Sequence, residues 1–314
     1  MQNYSRPLNT NISVEDFLTY TLDFDYKKEV ILNSIVTKIV DGELGVTRFN
    51  TENQTISSKE MRDGKYREDS RRWELRAQII DELFTKKRLS NDENILLGKG
   101  GALPRRGLKF NRQAFILIGL PASGKSSIST SIAEDYGAII LDSDYAKRKL
   151  PEFQNHLYGA SIVHEESSQI TFGFENNPLK LKSLYEHSIE RESNIIIPRI
   201  GQNPQSIIEL AEVLKKKKNY DIHLILVSLP RRDATIRAIY RYNTTNRYVP
   251  LGLIFDKYGN DPSHCYYYLR CKFNSHFKSF GVISTINKTP EYTDAKGLSP
   301  VKKYNYKNLI LQLP

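Results

Sequence analysis

Phe115-Ile116-Leu117-Ile118-Gly119-Leu120-Pro121-Ala122-Ser123-Gly124-Lys125-Ser126-Ser127 carries an apolar run into a loop bounded by two glycines, and the loop ends in Lys-Ser at the start of a helix-compatible segment. Gly119 and Gly124 permit the left-handed and close-approach backbone that turns successive N–H groups inward around a polyphosphate. A helix starting near Lys125 aims its positive end at the same charge. The spacing predicts a nucleoside triphosphate cradle built by Gly119, Leu120, Pro121, Ala122, Ser123, Gly124, Lys125, Ser126 and Ser127. Lys125 is expected on the outer phosphates and the Ser126 hydroxyl on magnesium, so ATP and Mg2+ are the implied cofactors.

Outward from this stretch, apolar strand-like runs alternate with helical patterns from Gln113 onward, the signature of a parallel sheet covered on both faces. Strands are expected at 114–118, 138–141, 194–198 and 222–228, and helices near 125–135, 163–171, 179–191 and 204–217. The fold class is therefore α/β, a P-loop kinase-like core with a parallel sheet flanked by helices, plus a small mixed or helical N-terminal extension.

Ahead of the core, Val14, Phe17, Leu18 and Leu22 are spaced for a short helix, and Val30 to Val40 for a helix or a strand that periodicity does not separate. Asp41-Gly42 and Asp63-Gly64 read as turns. Trp73, Leu75, Ile79, Ile80 and Leu83 predict a helix from Glu68 to Leu83, with Arg71, Arg72 and Arg76 among its polar positions, and Gly98 to Gly107 reads as an irregular connector. Beyond Asp261, Cys265-Tyr266-Tyr267-Tyr268-Leu269 suggests a helix packed on the core, and Asn308–Leu311 a terminal strand.

The composition is that of an ordinary globular protein: 314 residues, 39% hydrophobic and 26% charged. No run reaches the length of a membrane span, and Met1-Gln2-Asn3-Tyr4 does not start a signal peptide, so no membrane partner and a cytoplasmic location are expected, or delivery to another cell as an effector. Cys265 and Cys271 have neither redox nor zinc spacing. The formal charge of +10 suits anionic ligands in general and does not require nucleic acid. Lys215 to Lys218 sit where a helix C-terminus wants cations, whereas Lys147-Arg148-Lys149 and Arg231-Arg232 follow strand-like runs, where phosphates would be.

The second strand runs into Asp142-Ser143-Asp144-Tyr145, and in an open parallel sheet the carboxyl ends of strands face the ligand crevice. Asp144 is the candidate base for an acceptor hydroxyl, and Asp142 caps the next helix, supports magnesium or takes a direct part at the substrate. No strand-like run ends in Asp-Glu, which favours a small-acceptor kinase over a motor ATPase or GTPase. Arg231, Arg232, Arg237 and Arg241, then Arg247, lie beyond the fourth strand, where a lid could bring guanidinium groups to a transferring phosphate.

These features together resemble the zeta toxins. The likeness rests on a Trp/Leu-containing helix before the core, Gly-x-x-x-x-Gly-Lys-Ser, Asp142-Ser143-Asp144-Tyr145 with Pro151-Glu152-Phe153, and Arg241-Tyr242 with Arg247 to Pro250, and it covers about residues 65–255. The resemblance implies Asp144 as base, Lys125 on ATP phosphates, and Arg241 and Arg247 as lid arginines that stabilise transfer. The family's usual reaction is ATP-dependent phosphorylation of a sugar hydroxyl of UDP-N-acetylglucosamine, and its members are commonly held inactive by an antitoxin protein. Three segments are suggested: a candidate regulatory N-terminal extension over 1–60, the zeta-toxin-like core over 61–260, and a C-terminal extension over 261–314 packed on it.

Two departures concern the acceptor. Where many zeta toxins carry Glu-Gly-Thr after the third strand, this chain has Pro198-Arg199-Ile200-Gly201. It also has Val163-His164-Glu165-Glu166-Ser167-Ser168, which looks like the zeta-like branch containing a plant-pathogen effector that phosphorylates NAD. His164, Glu165, Glu166 and Arg199 are thus expected to recognise a nucleotide sugar or dinucleotide; the alternative for His164, Glu165 and Glu166 is a capped, charged helix start. A polynucleotide 5′-kinase and a non-catalytic ATP-binding interaction protein are the competing functions.

Overall fold

The computed structural model describes residues 6–48, 53–155, 159–287 and 290–300. Thr10 caps α1 (Asn11–Asp16) through a reciprocal side-chain box with Ser13, a π turn spans Phe17–Thr21, and α2 (Ile35–Arg48) follows. Then come α3 (Asp69–Thr85) and β1 (Gln113–Ile118), whose inner residues are fully buried because helices cover both sheet faces. The chain continues through α4 (Lys125–Tyr136), β2 (Ile139–Ile140), α5 (Ser143–Lys149), α6 (Glu152–Asn155), α7 (Gly159–Ile162), α8 (His164–Phe172) and α9 (Leu184–Glu190). It ends with β3 (Ile195–Arg199), α10 (Pro204–Lys218), β4 (Asp221–Ser228), α11 (Arg231–Thr245), α12 (Asp261–Lys272), β5 (Ser279–Ser284) and β6 (Glu291–Lys296).

Among the described residues the strands form one six-stranded sheet in the order β2-β3-β1-β4-β5-β6. Five run parallel, and β6 pairs antiparallel with β5 at the edge. β1 lies between β3 and β4, with Ile118 opposite Arg199 on one side and Leu226 on the other. That register puts the C-terminal ends of β1, β2 and β3 at one rim of the sheet.

The four strands expected in the core are present, and β5 and β6 extend the sheet beyond them. β5 escaped the sequence reading because Ser279-Phe280-Gly281-Val282-Ile283-Ser284 is a short apolar run interrupted by glycine and bracketed by serine. The helix expected over 179–191 starts only at Leu184, where Ser183 and Glu186 form a capping box. Asp41-Gly42 is no turn, since α2 runs through it. The expected strand at Asn308–Leu311 lies outside the described residues.

Two apolar clusters divide the interior. One surrounds the sheet and takes in Leu75, Ile79 and Leu83 of α3 and Cys265, Tyr266 and Leu269 of α12. The second joins the N-terminal element to the region beyond β4: Leu18, Leu22, Ile35 and Ile39 pack with Ala238, Ile239 and Leu251, and also with Leu120 of the loop after β1.

Candidate active site

The loop between β1 and α4 is shaped by close contacts. A Cβ on Gly119 would sit 2.6 Å from the Val227 carbonyl oxygen and 2.9 Å from Ser123 Oγ, so only glycine fits there. Ala122 at φ 61° and Gly124 at φ 90° take left-handed backbone on either side of Ser123, a geometry suited to gathering N–H groups into an anion-binding concavity. Thr285, just past β5, donates to the Ser123 carbonyl at 2.7 Å and braces the loop from beneath. The strand absent from the sequence reading thus supports the cradle.

Lys125 opens α4 and folds back over the loop, its Nζ donating to the carbonyls of Gly119 at 2.7 Å and Leu120 at 2.6 Å. Burial pushes its pKa down to about 8; Asp142 and Asp144 oppose that shift and Arg241 adds to it. Ser126 is exposed beside it at the start of α4. Asp142, at the end of β2, caps α5 by accepting from the Asp144 amide at 2.9 Å, and its neighbourhood also includes Lys125 and Arg199. Burial and the adjacent Asp144 charge raise its pKa.

Asp144 is the second residue of α5, in its first turn. Arg247 NH2 donates to its Oδ2 at 2.6 Å and Lys147 Nζ to its Oδ1 at 3.2 Å. Burial alone would raise its pKa, but Lys147, Arg247, Arg148 and Arg241 together hold it well below the usual carboxylate range. A carboxylate kept ionised in this way accepts hydrogen bonds and can orient a hydroxyl, taking its proton late, which suits a loose phosphoryl transfer.

Glu93, in the 3-10 turn Asp92–Asn94, is the site residue that sequence reasoning missed. It accepts from Arg148 at 2.9 and 3.2 Å and from Arg247 at 2.9 and 3.2 Å, and Arg241 NH2 lies 3.9 Å away. Burial raises the Glu93 pKa, and Arg148, Arg247 and Arg241 outweigh it, so the carboxylate stays ionised. Nothing in the segment Asn91-Asp92-Glu93-Asn94 marks it as functional, because its partners come from α5 and from beyond α11.

Arg199 ends β3 with its guanidinium 4.1 Å above the Phe172 ring, and that guanidinium makes no hydrogen bond to a described residue. Burial lowers its pKa, and Asp142 opposes that shift. His164 is exposed at the start of α8; burial of part of the ring and nearby Lys147 lower its pKa, while Glu165 and Asp144 raise it. Glu165 is half-buried next to it, its amide donating to Gln54 Oε1 at 3.1 Å. Lys125, Asp142, Asp144, His164, Arg199, Arg241 and Arg247 are therefore one neighbourhood at the sheet rim.

Glu166 is different, and the expectation that it meets a substrate is corrected here. It is fully buried, accepts from Arg72 at 2.7 and 2.6 Å and from Arg76 at 2.7 Å, and also accepts from the Thr55 hydroxyl. Burial would raise its pKa, yet Arg72, Arg76 and Thr55 hold it down at about 2. Arg72 also donates to Glu152 at 2.7 Å, so the network ties α3 to α6 and α8 as structure. Lys149 likewise faces away from phosphate: its buried Nζ donates to Glu82 at 2.7 Å and to the Gly100 carbonyl at 2.7 Å.

A triphosphate and magnesium fit the donor set: an inward-turned backbone loop, an ammonium, a hydroxyl at Ser126 and a carboxylate at Asp142. Magnesium in such sites is held largely by phosphates and water, with one or two protein groups sufficing. Among the described residues no helix is long and apolar enough to cross a membrane.

Residues 109–260 match the family model described as zeta toxin. The chain is 24% identical over 171 residues to the toxin zeta of Enterococcus hirae, covering 53% of this chain and 54% of that one. It is also 24% identical over 170 residues to the toxin zeta of Streptococcus pyogenes, with the same coverage. The match thus spans about half the length of these curated relatives. Among solved structures, a chain of the PezAT chromosomal toxin-antitoxin system of Streptococcus pneumoniae superposes with TM-score 0.45 at 15% identity, over 77% of this chain and 87% of that one. A chain of the AvrRxo1-ORF1:-ORF2 complex superposes with TM-score 0.36 at 15% identity, over 63% of each.

Proposed function

Since residues 109–260 match the zeta toxin family model, we propose that the protein transfers the γ-phosphate of ATP to a sugar hydroxyl of a nucleotide-containing small molecule. The carrying observation is that Arg247 bonds Asp144 at 2.6 Å in the same neighbourhood as Lys125 and Arg241. That neighbourhood supports reading Asp144 as base and the cations as groups that neutralise a transferring phosphoryl group.

Lys125 and the loop amides bind the β- and γ-phosphates, and Ser126 and Asp142 would hold magnesium, which would neutralise charge on those phosphates. Asp144 orients the acceptor hydroxyl. As its oxygen bonds to the γ-phosphorus and the bond to the ADP oxygen breaks, the hydroxyl proton passes to Asp144 and the lid arginines stabilise the charge on the moving group. ADP and the phosphorylated acceptor then leave.

Arg199 supports an acceptor that carries a diphosphate, as UDP-N-acetylglucosamine and NAD both do. Its guanidinium is pressed on Phe172 with its hydrogen-bonding edge uncommitted to any described residue, and Asp142 is a near neighbour. Such a group is costly to keep half-buried without an anion to bind. An inhibitory antitoxin partner follows from the family match and belongs to the same proposal.

The test offers labelled ATP with UDP-N-acetylglucosamine, NAD or a 5′-hydroxyl oligonucleotide, with Lys125→Ala as blank. Transfer to either small molecule, lost in Asp144→Asn, is expected. Transfer to the oligonucleotide alone would make the protein a polynucleotide kinase. ATP binding without transfer to any acceptor would make it a nucleotide-dependent interaction module.

A further inference from the structure

Each lid arginine is followed by a tyrosine that faces the other way. Arg241 and Arg247 reach Glu93, whereas Tyr242 and Tyr248 turn to the N-terminal element, their rings 4.9 Å apart at 61°. The Tyr242 hydroxyl donates to the Lys38 carbonyl at 2.8 Å, and the Tyr248 hydroxyl to Glu43 Oε1 at 2.6 Å. Both acceptors lie on α2.

Neighbouring contacts repeat the pattern. Lys38 Nζ donates to Asn243 Oδ1 at 2.9 Å, Asn243 Nδ2 donates to the Ile31 carbonyl at 2.8 Å, and Arg232 Nε donates to the Leu22 carbonyl at 2.6 Å. The face of α2 against Tyr248 is shaped for it: a Cβ on Gly42 would fall 2.6 Å from Tyr248 Cγ. A glycine inside a helix costs about 1 kcal/mol relative to alanine, and here the close approach of the ring accounts for it.

We propose that residues 10–46 act as an intramolecular brace that sets the lid arginines, with Tyr242 and Tyr248 as the positioning residues through which it works. The inference rests on the reading of Arg241 and Arg247 as groups that meet the transferring phosphate. Both tyrosine hydroxyls bond α2, on the side away from Glu93. Each fixes the backbone one residue beyond an arginine, and a guanidinium misplaced by about 1 Å can lose on the order of a hundredfold in rate.

The test needs no acceptor. Affinity for magnesium–ADP is compared with affinity for magnesium–ADP plus aluminium fluoride, a mimic of the transferring phosphoryl group, in the full chain and in Tyr248→Phe, Glu43→Gln and Gly42→Ala. Each variant is expected to weaken the mimic about tenfold while leaving ADP within about twofold. In an Arg247→Ala background the same changes should have no further effect, which a purely structural loss would not reproduce. If Arg247→Ala itself leaves the mimic unchanged, or if the unaltered protein binds the mimic no better than ADP, the reading of the lid arginines fails and the brace falls with it. If Arg247→Ala weakens the mimic but the brace variants do not, or weaken it equally in both backgrounds, the brace alone is overturned.

Discussion

Glu93 and Arg247 form a two-pronged ion pair, NH1 lying 2.9 and 3.2 Å from the two carboxylate oxygens, although 154 residues separate them in the chain. The same carboxylate holds Arg148, and Arg247 extends its other nitrogen to Asp144. One anion thus gathers cations from α5 and the lid around the proposed base, and the like charges of Arg148, Arg241 and Arg247 are tolerable together only because Glu93 and Asp144 lie between them.

Neutralising Glu93 leaves those cations short of one negative charge. Glu93→Gln is expected to lower stability by about 1 kcal/mol, a modest value because the carboxylate is partly exposed and screened. ATP brings phosphates that restore the balance, so the variant should show a larger rise in Tm on adding ATP than the unaltered protein. Thermal unfolding with and without ATP checks it; equal shifts would mean that Glu93 does not share its arginines with the nucleotide.

The Lys125 ammonium, held near pKa 8 by burial, is charged below that pH and loses its proton as pH rises through it. The kcat/KM for ATP, which reports the free enzyme, is therefore expected to fall above about pH 8. The fall in kcat should lie at higher pH, since bound phosphates favour the ammonium. Lys125→Arg should remove the alkaline limb, as guanidinium does not titrate there. A limb unchanged in Lys125→Arg would assign the titration elsewhere.

The cradle and the Asp142/Asp144 pair were legible because their geometry is local: strand, loop, helix cap and helix start occupy consecutive residues. The partners of those groups were not. Glu93 acquires its role from arginines distant in sequence, and Gly42 was read as a turn because the ring that explains it, Tyr248, arrives from the far side of the core. Arg72, Glu152 and Glu166 look the same in sequence whether solvated or paired, and only packing of α3 against α6 and α8 makes them a buried network.

That network is expected to contribute to the acid sensitivity of the fold. Folding lowers the Glu166 pKa from 4.5 to about 2, so between those values the native state binds fewer protons than the unfolded chain. Its contribution is fully present above pH 4.5 and lost as pH falls toward 2, amounting to about 3 kcal/mol. Glu166→Gln is expected to be less stable at pH 7, because Arg72 and Arg76 lose a buried partner, and to lose less on acidification. Urea unfolding at pH 7 and at pH 3 measures both; parallel losses in the two proteins would remove Glu166 from the acid response.

Gly119→Ala tests the cradle without removing any charged group. The added Cβ would meet the Val227 carbonyl at 2.6 Å, and that oxygen belongs to β4, which is fixed in the centre of the sheet between β1 and β5. The strand cannot yield, so the loop must. Its first turn carries the Gly119 and Leu120 carbonyls that hold Lys125, and a shift there moves the ammonium along with the amides. ATP affinity is expected to fall at least tenfold, with stability lowered by about 1–3 kcal/mol from the overpacked contact. Calorimetric ATP titration beside urea unfolding separates the two effects. Retained ATP affinity in a destabilised variant would show that the loop yields without moving the groups assigned to the phosphates.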